Sequence, residues 1–306
     1  MIQVQTKYLI VVVGPTAIGK TSLAIKLAQH FGCEIISADS RQFFKEMCIG
    51  TAVPAEDELA AVKHHFIQHK SVFERYTVGD FEKDALAALE QLYYTHDFAV
   101  MAGGSGLYID AVLKGFDEFP DVKPQVREKV MENYETEGMH YLQEELMKLD
   151  PDYAGTVDME NPQRMMRAIE VTISSGRPYS SFLTGKENPR SFTPVIIGID
   201  GPRETIYNRI NQRVDIMMEK GLLNEAEQLY ECKHLNGLQT VGYKELFSYL
   251  DGEIPLETAV AEIKKNTRRF AKRQLTWFRR NPDISWFDFE TPVAEIAAFI
   301  KRKTLP

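Results

Sequence analysis

Short runs of apolar, mostly β-branched residues alternate along the chain with longer stretches of helical periodicity. Tyr8–Val13 is the first such run, and the apolar positions after it recur at helical spacing as far as Gly32. Strands alternating with helices predict an α/β fold, in which a parallel sheet is covered by helices on both faces and binds ligands at the carboxyl ends of its strands. Further strands are predicted at 34–37, 98–102 and 195–199, with a short one at 284–287.

The stretch from 117 to 190 interrupts this alternation. It shows helical patterns but no convincing strand, and one of its helices is predicted to begin with Asn161 as the capping residue and Pro162 at the first helical position. We therefore predict that residues 1–116 form the first part of the core and that 117–190 form an all-helical insertion domain. Residues 191–306 would then complete the core and add C-terminal helices.

The first predicted strand leads directly into a phosphate-binding loop. Its sequence GPTAIGKT fits GxxxxGK[ST], and it lies between a buried strand and a helix, as this P-loop motif requires. In such a loop the glycines let backbone N–H groups surround a phosphate, Lys20 adds a fixed positive charge, and the Thr21 hydroxyl can ligate Mg²⁺. The predicted diphosphate-binding residues are Gly14, Pro15, Thr16, Ala17, Ile18, Gly19, Lys20 and Thr21.

The loop alone does not specify which phosphate compound it holds. A nucleotide-hydrolysing enzyme should carry an Asp at the end of an apolar strand to help hold Mg²⁺, but the strand at 98–102 is followed by two glycines. Asp39 and Asp200 instead lie at the ends of the second and fourth predicted strands. A strand-end Asp often caps a turn, but we favour a functional role for Asp39 because the polar residues 40–42 follow it directly.

Charge is distributed unevenly. Lys and Arg number 36 against 44 Asp and Glu, for a net charge of −8, yet the segment 264–280 contains basic residues and no acidic one. At 100° per residue, these basic residues fall on one half of a helix, and Ile263, Phe270, Trp277 and Phe278 fall on the other, packing half. Such a face can simply be solvated, but like charges without compensating acids favour a polyanion such as nucleic acid. The basic residues are Lys264, Lys265, Arg268, Arg269, Lys272, Arg273, Arg279 and Arg280.

The composition narrows the class of protein further. A chain of 306 residues that is 44% hydrophobic with three cysteines is neither disordered nor a collagen or disulfide scaffold. The cysteines follow no metal-binding or pairing pattern, which indicates a reducing compartment. The apolar run near the N-terminus is too short for a signal peptide or for a membrane span of about 20 residues. We therefore expect a cytoplasmic protein without a membrane segment.

Five motifs, taken together, resemble those of the bacterial tRNA dimethylallyltransferase family. They follow the family's order over nearly the whole chain, and the combination is far more specific than any one of them. Ile18 stands where the family commonly has Ser, and Ser105 stands where it commonly has Thr; neither change removes a group that the chemistry needs. The motifs are GPTAIGKT at 14–21, ADSRQ at 38–42, GGSGLY at 103–108, NPQR at 161–164 and TVGY at 240–243.

The resemblance implies a specific reaction. A dimethylallyl group would pass from dimethylallyl diphosphate to N6 of the adenosine just 3′ of a tRNA anticodon, with release of diphosphate and with Mg²⁺ as cofactor. The loop would hold the prenyl diphosphate instead of ATP, and the basic helix would hold the anticodon stem-loop. Family members take the target base out of its stack, since its atoms cannot otherwise be reached, and in similar proteins the helical insertion clasps the other side of the anticodon loop. A monomer is expected.

The resemblance also assigns roles to residues. Asp39 is predicted to remove the N6 proton during attack on the allylic carbon. Thr16 and, by similarity, Arg213 would join Lys20, the loop N–H groups and Mg²⁺ held by Thr21 in stabilising the leaving diphosphate. The residues predicted to contact tRNA are Asp39, Ser40, Arg41, Gln42, Ser105, Arg127, Gln163, Arg164, Arg167, Lys264, Arg268, Arg269, Lys272 and Arg273.

Two other interpretations remain open at this point. A P-loop small-molecule or nucleoside kinase would use the same loop for ATP and Asp39 as the base toward a substrate hydroxyl, and ATP-dependent phosphate transfer would reveal it. An RNA-binding protein that only senses a nucleotide is the non-enzymatic alternative, and in that case Asp39→Ala would leave all measurable function intact.

Overall fold

The computed structural model describes residues 6–117, 119–185 and 188–304. It divides the chain into two compact units. The sheet unit comprises 1–114 and 189–306, and the helical unit comprises 115–188. The sequence places the helical insertion at 117–190, so the two sets of boundaries differ by two residues at each end.

The sheet unit contains a parallel sheet. Its strands are β1 (Tyr8–Val13), β2 (Ile35–Ser37), β3 (His64–His65), β4 (Phe98–Ala102), β5 (Thr193–Asp200) and β6 (Ser285–Asp288). They lie in the order β3-β2-β4-β1-β5-β6, and each neighbouring pair is parallel. The predicted α/β fold is confirmed. The edge strand β3 was not predicted, because two consecutive histidines carry no strand pattern.

Helices fill the connections between these strands. In chain order they are α1 (Lys20–Phe31), α2 (Glu56–Ala61), α3 (Val78–Leu92), α4 (Gly106–Lys114), α5 (Pro124–Glu137), α6 (Met139–Leu149), α7 (Pro151–Ala154), α8 (Pro162–Ser175), α9 (Arg203–Glu219), α10 (Leu222–Gln228), α11 (Tyr243–Leu250), α12 (Leu256–Phe278) and α13 (Val293–Thr304). Every helix among residues 6–117, 119–185 and 188–304 is too short or too polar to span a lipid bilayer.

The central strand β1 is buried on both faces of the sheet. Ile10 and Val12 belong to a hydrophobic cluster with side chains of α1, α9 and α13. Leu9 and Val11 belong to a second cluster with side chains of α3 and α4. Successive residues of a strand point to opposite faces, so the uninterrupted apolar run of β1 places helices on both faces, as predicted. The end of β1 is thereby fixed at the carboxyl edge of the sheet, where the phosphate-binding loop begins.

The helical unit has a core of its own. Val130, Leu142, Leu146, Met165 and Ile169 are buried together, and they come from α5, α6 and α8. Helix α8 begins where the sequence predicts, since the side chain of its capping residue at 161 accepts a hydrogen bond from the backbone N–H at 164 over 3.2 Å.

Candidate active site

The phosphate-binding loop makes a tight turn between β1 and α1. Gly14 has a φ of 151°, and a Cβ atom at this position would lie 2.4 Å from the carbonyl oxygen of Ile199 on β5. Glycine is therefore required for the loop to leave the sheet here. Gly19 has a φ of 110° directly before α1, and Ala17 has a φ of 65°, a left-handed conformation that few non-glycine residues adopt. The loop stands in the predicted place between a buried strand and a helix.

The side chain of Lys20 turns back onto this loop. Its Nζ donates a hydrogen bond to the carbonyl oxygen of Pro15 over 2.8 Å. Burial lowers the pKa of Lys20 to about 8; the negative charge of Asp39 raises this pKa, and the positive charge of Arg213 lowers it. Lys20, Asp39 and Arg213 therefore act on one another electrostatically, although they come from three separate parts of the chain.

Thr16 is contacted by two residues from the C-terminal half of the chain. Arg213 Nη1 on α9 lies 3.5 Å from Thr16 Oγ1, which is long for a hydrogen bond. The backbone N–H of Thr16 donates to Gln274 Oε1 on α12 over 2.8 Å. Burial lowers the pKa of Arg213, and the negative charge of Asp39 raises it. The three predicted catalytic residues Thr16, Asp39 and Arg213 are thus linked by contact or by charge.

Gln274 is a site residue that sequence analysis missed. It is buried, and besides accepting the hydrogen bond from Thr16 it donates from Nε2 to the carbonyl oxygen of Gly104 over 2.9 Å. A Cβ atom at position 104 would lie 2.2 Å from Nε2, which explains the glycine. The sequence does indicate that Gln274 is buried: at 100° per residue its side chain falls within about 20° of Ile263, on the apolar side of the helix. A neutral amide there is positioned to bond backbone groups.

Arg209 on α9 also supports the loop, and the sequence analysis did not identify it. Its Nη1 donates to the carbonyl oxygen of Ile18 over 3.1 Å, and its guanidinium lies 4.3 Å from the centre of the Phe289 ring. Stacking on an aromatic face restricts the orientation of an arginine. Helix α9 therefore contacts the phosphate-binding loop through two arginines, one of which was identified only by resemblance.

The segment after β2 is connected to the loop after β4. Asp39 Oδ1 accepts a hydrogen bond from the backbone N–H of Arg41 over 3.1 Å. The backbone N–H of Ser40 donates to Ser105 Oγ over 3.1 Å, and the two serine hydroxyls are also 3.1 Å apart. The structure thus brings together Asp39, Ser40 and Ser105, which the sequence predicts to act at one site although they are far apart along the chain.

The side chains at positions 41 and 42 are oriented by backbone carbonyl groups. Arg41 Nη1 donates to the carbonyl oxygens of Asn236 and Gly237 over 3.1 and 3.0 Å. Gln42 Nε2 donates to those of Thr51 and Ala52 over 3.1 and 2.9 Å. Both predicted RNA contacts are therefore held in defined orientations by the protein itself.

Comparison with known proteins identifies the family. Residues 42–281 match the family model described as IPP transferase. The chain belongs to the IPP transferase family. The tRNA dimethylallyltransferase of Flavobacterium johnsoniae is 63% identical to it over 300 residues, which cover 96% of this chain and 97% of that protein. The tRNA dimethylallyltransferase of Christiangramia forsetii is 57% identical over 298 residues, which cover 97% of this chain and 99% of that protein. The resemblance found in the motifs is confirmed.

Solved structures of IPP transferases share the fold. The crystal structure of the full-length tRNA isopentenylpyrophosphate transferase from Bacillus halodurans superposes with a TM-score of 0.73 at 35% identity and covers 97% of each chain. Crystallographic snapshots of a eukaryotic dimethylallyltransferase acting on tRNA superpose with a TM-score of 0.80 at 27% identity, over 97% of this chain and 79% of that one.

The basic segment of this IPP transferase is less uniform than its sequence indicates. The expectation that its charges lack compensating acids is wrong, because neighbouring elements supply partners. Lys264 forms an ion pair with Asp215 over 2.5 Å, and Arg279, directly after α12, pairs with Asp200 over 2.6 Å. Lys265 pairs with a glutamate one turn earlier on the same helix. None of these three acids lies within residues 264–280, and the first two belong to other helices or strands.

The remaining basic side chains of α12 face solvent to different degrees. Arg268 Nη1 donates to Asn211 Oδ1 over 2.7 Å and is partly buried, whereas Arg269, Lys272 and Arg273 are exposed. The prediction that Phe270 packs into the core is wrong, since 40% of its surface is exposed. Of the predicted stripe, Arg269, Lys272, Arg273 and Arg280 are exposed, and in the described part of the chain their side chains form no ion pair or hydrogen bond with another helix or strand.

Four further predicted RNA contacts lie in the helical unit. Arg127 is exposed on α5, and Gln163 and Arg164 are exposed in the first turn of α8. Arg167 is partly buried, with its guanidinium 5.8 Å from the centre of the Phe119 ring. The side chains at 164 and 167 are one turn apart on the same helix, as the sequence predicts.

Proposed function

We propose that the protein transfers a dimethylallyl group from dimethylallyl diphosphate to N6 of the adenosine 3′ of a tRNA anticodon, releasing diphosphate. One observation carries the proposal: Asp39 interacts electrostatically with both Lys20 of the phosphate-binding loop and Arg213 of α9. A base for the amine and cations for the leaving group therefore meet in one site. The relatives named tRNA dimethylallyltransferase support this reaction over the kinase alternative.

The chemistry requires one bond to form and one to break. N6 of adenine attacks the allylic carbon, and the bond from that carbon to the diphosphate oxygen breaks. The N6 lone pair is delocalised into the ring, so removal of its proton by Asp39 assists the attack. Negative charge accumulates on the leaving diphosphate, and we propose that Lys20, Arg213 and the Thr16 hydroxyl stabilise it; Arg213 Nη1 lies 3.5 Å from Thr16 Oγ1, and its charge acts on Lys20.

We propose that the phosphate-binding loop binds Mg²⁺ through few protein ligands. No cluster of three or more His, Cys, Asp or Glu side chains able to bind a metal occurs among the residues that the structure describes. Mg²⁺ usually takes one or two protein ligands and completes its coordination with phosphate oxygens and water. Thr21, partly exposed at the start of α1, supplies a suitable hydroxyl. When bound, the ion would offset part of the negative charge of the diphosphate.

The second substrate is RNA, and each unit carries residues predicted to contact it. Arg269, Lys272 and Arg273 of α12 are proposed to bind phosphates of the anticodon stem-loop, while Gln163 and Arg164 of α8 contact the loop. We expect the protein to act as a monomer in the cytoplasm, where its tRNA substrate is found.

The decisive experiment combines the purified protein with Mg²⁺, dimethylallyl diphosphate and an unmodified anticodon stem-loop that carries adenosine at the target position. Mass spectrometry of the RNA should show a gain of one C5H8 unit on that adenosine, and chelation of Mg²⁺ should abolish the gain. An unchanged RNA mass, together with ATP consumption in a parallel assay with small-molecule acceptors, would contradict the proposal and support a kinase.

Charge reversal of two exposed residues should weaken RNA binding in a salt-dependent way. Each phosphate contact contributes about one to the slope of log affinity against log salt, because a bound cation displaces a condensed counterion. We expect Lys272→Glu combined with Arg273→Glu to lower stem-loop affinity and to reduce that slope by about two. The measurement is fluorescence anisotropy over a salt series.

The matched control is Lys301→Glu combined with Arg302→Glu, which makes the same charge change at two exposed positions of α13. An equal loss of affinity in this control would show that only net charge matters. Lys264 and Arg268 are unsuitable for this test because their reversal would also break contacts with α9.

Binding of dimethylallyl diphosphate should take up protons above pH 8. Burial lowers the pKa of Lys20 to about 8, and a neighbouring diphosphate would stabilise the ammonium form and raise this pKa. At pH 9 the empty enzyme therefore holds mostly neutral lysine, which gains a proton on binding, and affinity falls as pH rises through 8. Calorimetry in buffers of different ionisation enthalpy measures this uptake. Lys20→Arg should abolish it, and a wild-type enzyme that takes up no proton at pH 9 would contradict the assignment.

A further inference from the structure

Glu225 on α10 occupies a backbone anion-binding turn. Its carboxylate accepts hydrogen bonds from three successive backbone N–H groups, those of Cys48 and Ile49 at Oε2 over 3.0 and 2.8 Å and that of Gly50 at Oε1 over 2.9 Å. Successive N–H groups that converge on one point are the arrangement with which loops bind phosphate. Here the ligand is a carboxylate of the same chain, from a residue 175 to 177 positions away.

A fourth donor comes from the TVGY motif. Tyr243 is fully buried, and its hydroxyl donates to Glu225 Oε1 over 2.6 Å. Burial and the negative charge of Glu225 raise the pKa of Tyr243, so its hydroxyl remains a donor. A Cβ atom at Gly50 would lie 2.6 Å from the Tyr243 ring, so the turn and the ring fit only because residue 50 is glycine. The proposed chemistry gives this motif no role of its own.

Residues 48–52, which we call the 48–52 turn, form internal backbone hydrogen bonds and include a residue with a strained backbone conformation. The backbone N–H of Ala52 donates to the carbonyl oxygen of Ile49 over 3.0 Å, and that of Val53 donates to the carbonyl oxygen of Cys48 over 3.1 Å. Ala52 has a φ of 51°, a left-handed conformation that alanine rarely adopts. Such a conformation persists only where the surroundings impose it, and the four hydrogen bonds to Glu225 are part of those surroundings.

The other side of the turn faces the segment of Asp39. Gln42 Nε2 donates to the carbonyl oxygens of Thr51 and Ala52, so both hydrogens of its amide are used. This fixes the orientation of the amide, and in the described part of the chain no protein group donates to Oε1. Gln42 therefore presents an acceptor, and its position three residues after Asp39 places this acceptor on the segment that carries the proposed base.

We infer that Glu225 is a positioning residue for RNA recognition: it fixes the 48–52 turn, which orients the Gln42 amide so that Oε1 accepts a hydrogen bond from the RNA near the target base. The inference rests on the proposed function. It predicts a defect in the use of RNA and not of dimethylallyl diphosphate, since the turn makes no contact with the phosphate-binding loop among the described hydrogen bonds.

Glu225→Gln tests this inference because it keeps the shape of the side chain and removes its negative charge. A carboxylate has two acceptor oxygens, whereas an amide has one oxygen and an NH₂ group that would face backbone N–H donors. Leaving such donors unpaired is costly, and hydrogen bonds to charged groups are the strong ones. The matched control is Glu227→Gln, the same substitution at an exposed position of the same helix.

Steady-state kinetics with the stem-loop and dimethylallyl diphosphate distinguish the outcomes. We expect Glu225→Gln to raise the RNA KM by about tenfold or more, with the KM for dimethylallyl diphosphate changed by less than about twofold, and Glu227→Gln to resemble the wild type. In a Gln42→Ala background, Glu225→Gln should have little further effect, because the two residues act through one interaction.

An unchanged RNA KM in Glu225→Gln, or effects of the two substitutions that add, would overturn the inference. If Glu225→Gln does not fold, Tyr243→Phe removes a single donor and should raise the RNA KM by about threefold, again without affecting the KM for dimethylallyl diphosphate; equal KM values would overturn the inference. A wild-type enzyme without prenyl transfer would instead refute the proposed function, and the two failures are therefore distinguishable.

Discussion

Asp39→Ala is expected to lower the rate of prenyl transfer by about a hundredfold or more while RNA binding survives. The size of the effect is that of a general base which removes a proton in the transition state. Asp39 interacts with the charges of Lys20 and Arg213, and its Oδ1 also accepts a backbone hydrogen bond from Arg41. Single-turnover transfer to the stem-loop measures the rate, and anisotropy measures RNA affinity.

Asp200→Ala is the matched control. Asp200 is the last residue of β5, but its carboxylate is engaged with Arg279 over 2.6 Å and with the backbone N–H of Gly201 over 2.8 Å. We expect this variant to retain near-normal single-turnover rates. Near-normal turnover of Asp39→Ala would show that another group, or water, accepts the N6 proton.

Lys20→Met should reduce kcat by about 10²–10³-fold, the range observed when one preorganised donor to a developing anion is removed. Lys20 is the cation of the phosphate-binding loop, and burial lowers its pKa to about 8. A charge in such surroundings stabilises the leaving diphosphate more strongly than a solvated one. Release of inorganic diphosphate and single-turnover transfer at pH 7 both measure the effect.

Lys26→Met provides the comparison for this variant, because Lys26 is exposed on the same helix α1. Its kcat should equal that of the wild type. If Lys20→Met raised only the KM for dimethylallyl diphosphate and left kcat unchanged, Lys20 would contribute to ground-state binding alone and not to stabilisation of the leaving group.

The parts of the fold that the sequence predicts well depend on local patterns. β1, β4 and the helix that Asn161 caps were located from runs of apolar residues and from capping preferences, which neighbouring residues determine. The phosphate-binding loop and Asp39 were also identified locally, from a contiguous motif and from a strand end.

The parts that could not be predicted depend on contacts between distant positions. Gln274 bonds to Thr16 from 258 positions away, and Arg213 approaches the same residue from 197 positions away. No period in the sequence encodes such pairs, so Arg213 was identified only by resemblance and Gln274 not at all. The same reason explains why the charges of the basic segment were wrongly predicted to lack acidic partners. Asp215 lies on another helix, so the sequence of the basic segment does not show that it pairs with Lys264.

Helix α12 links the two substrates of the proposed reaction. It carries the exposed cations Lys272 and Arg273, and the next residue is Gln274, whose buried amide holds the backbone of Thr16. Any movement of α12 on RNA binding would act on the phosphate-binding loop through this hydrogen bond. Coupling between two ligands is reciprocal: the factor by which RNA changes the affinity for the prenyl diphosphate equals the factor by which the prenyl diphosphate changes the affinity for RNA. The strength of the coupling can therefore be measured from either side.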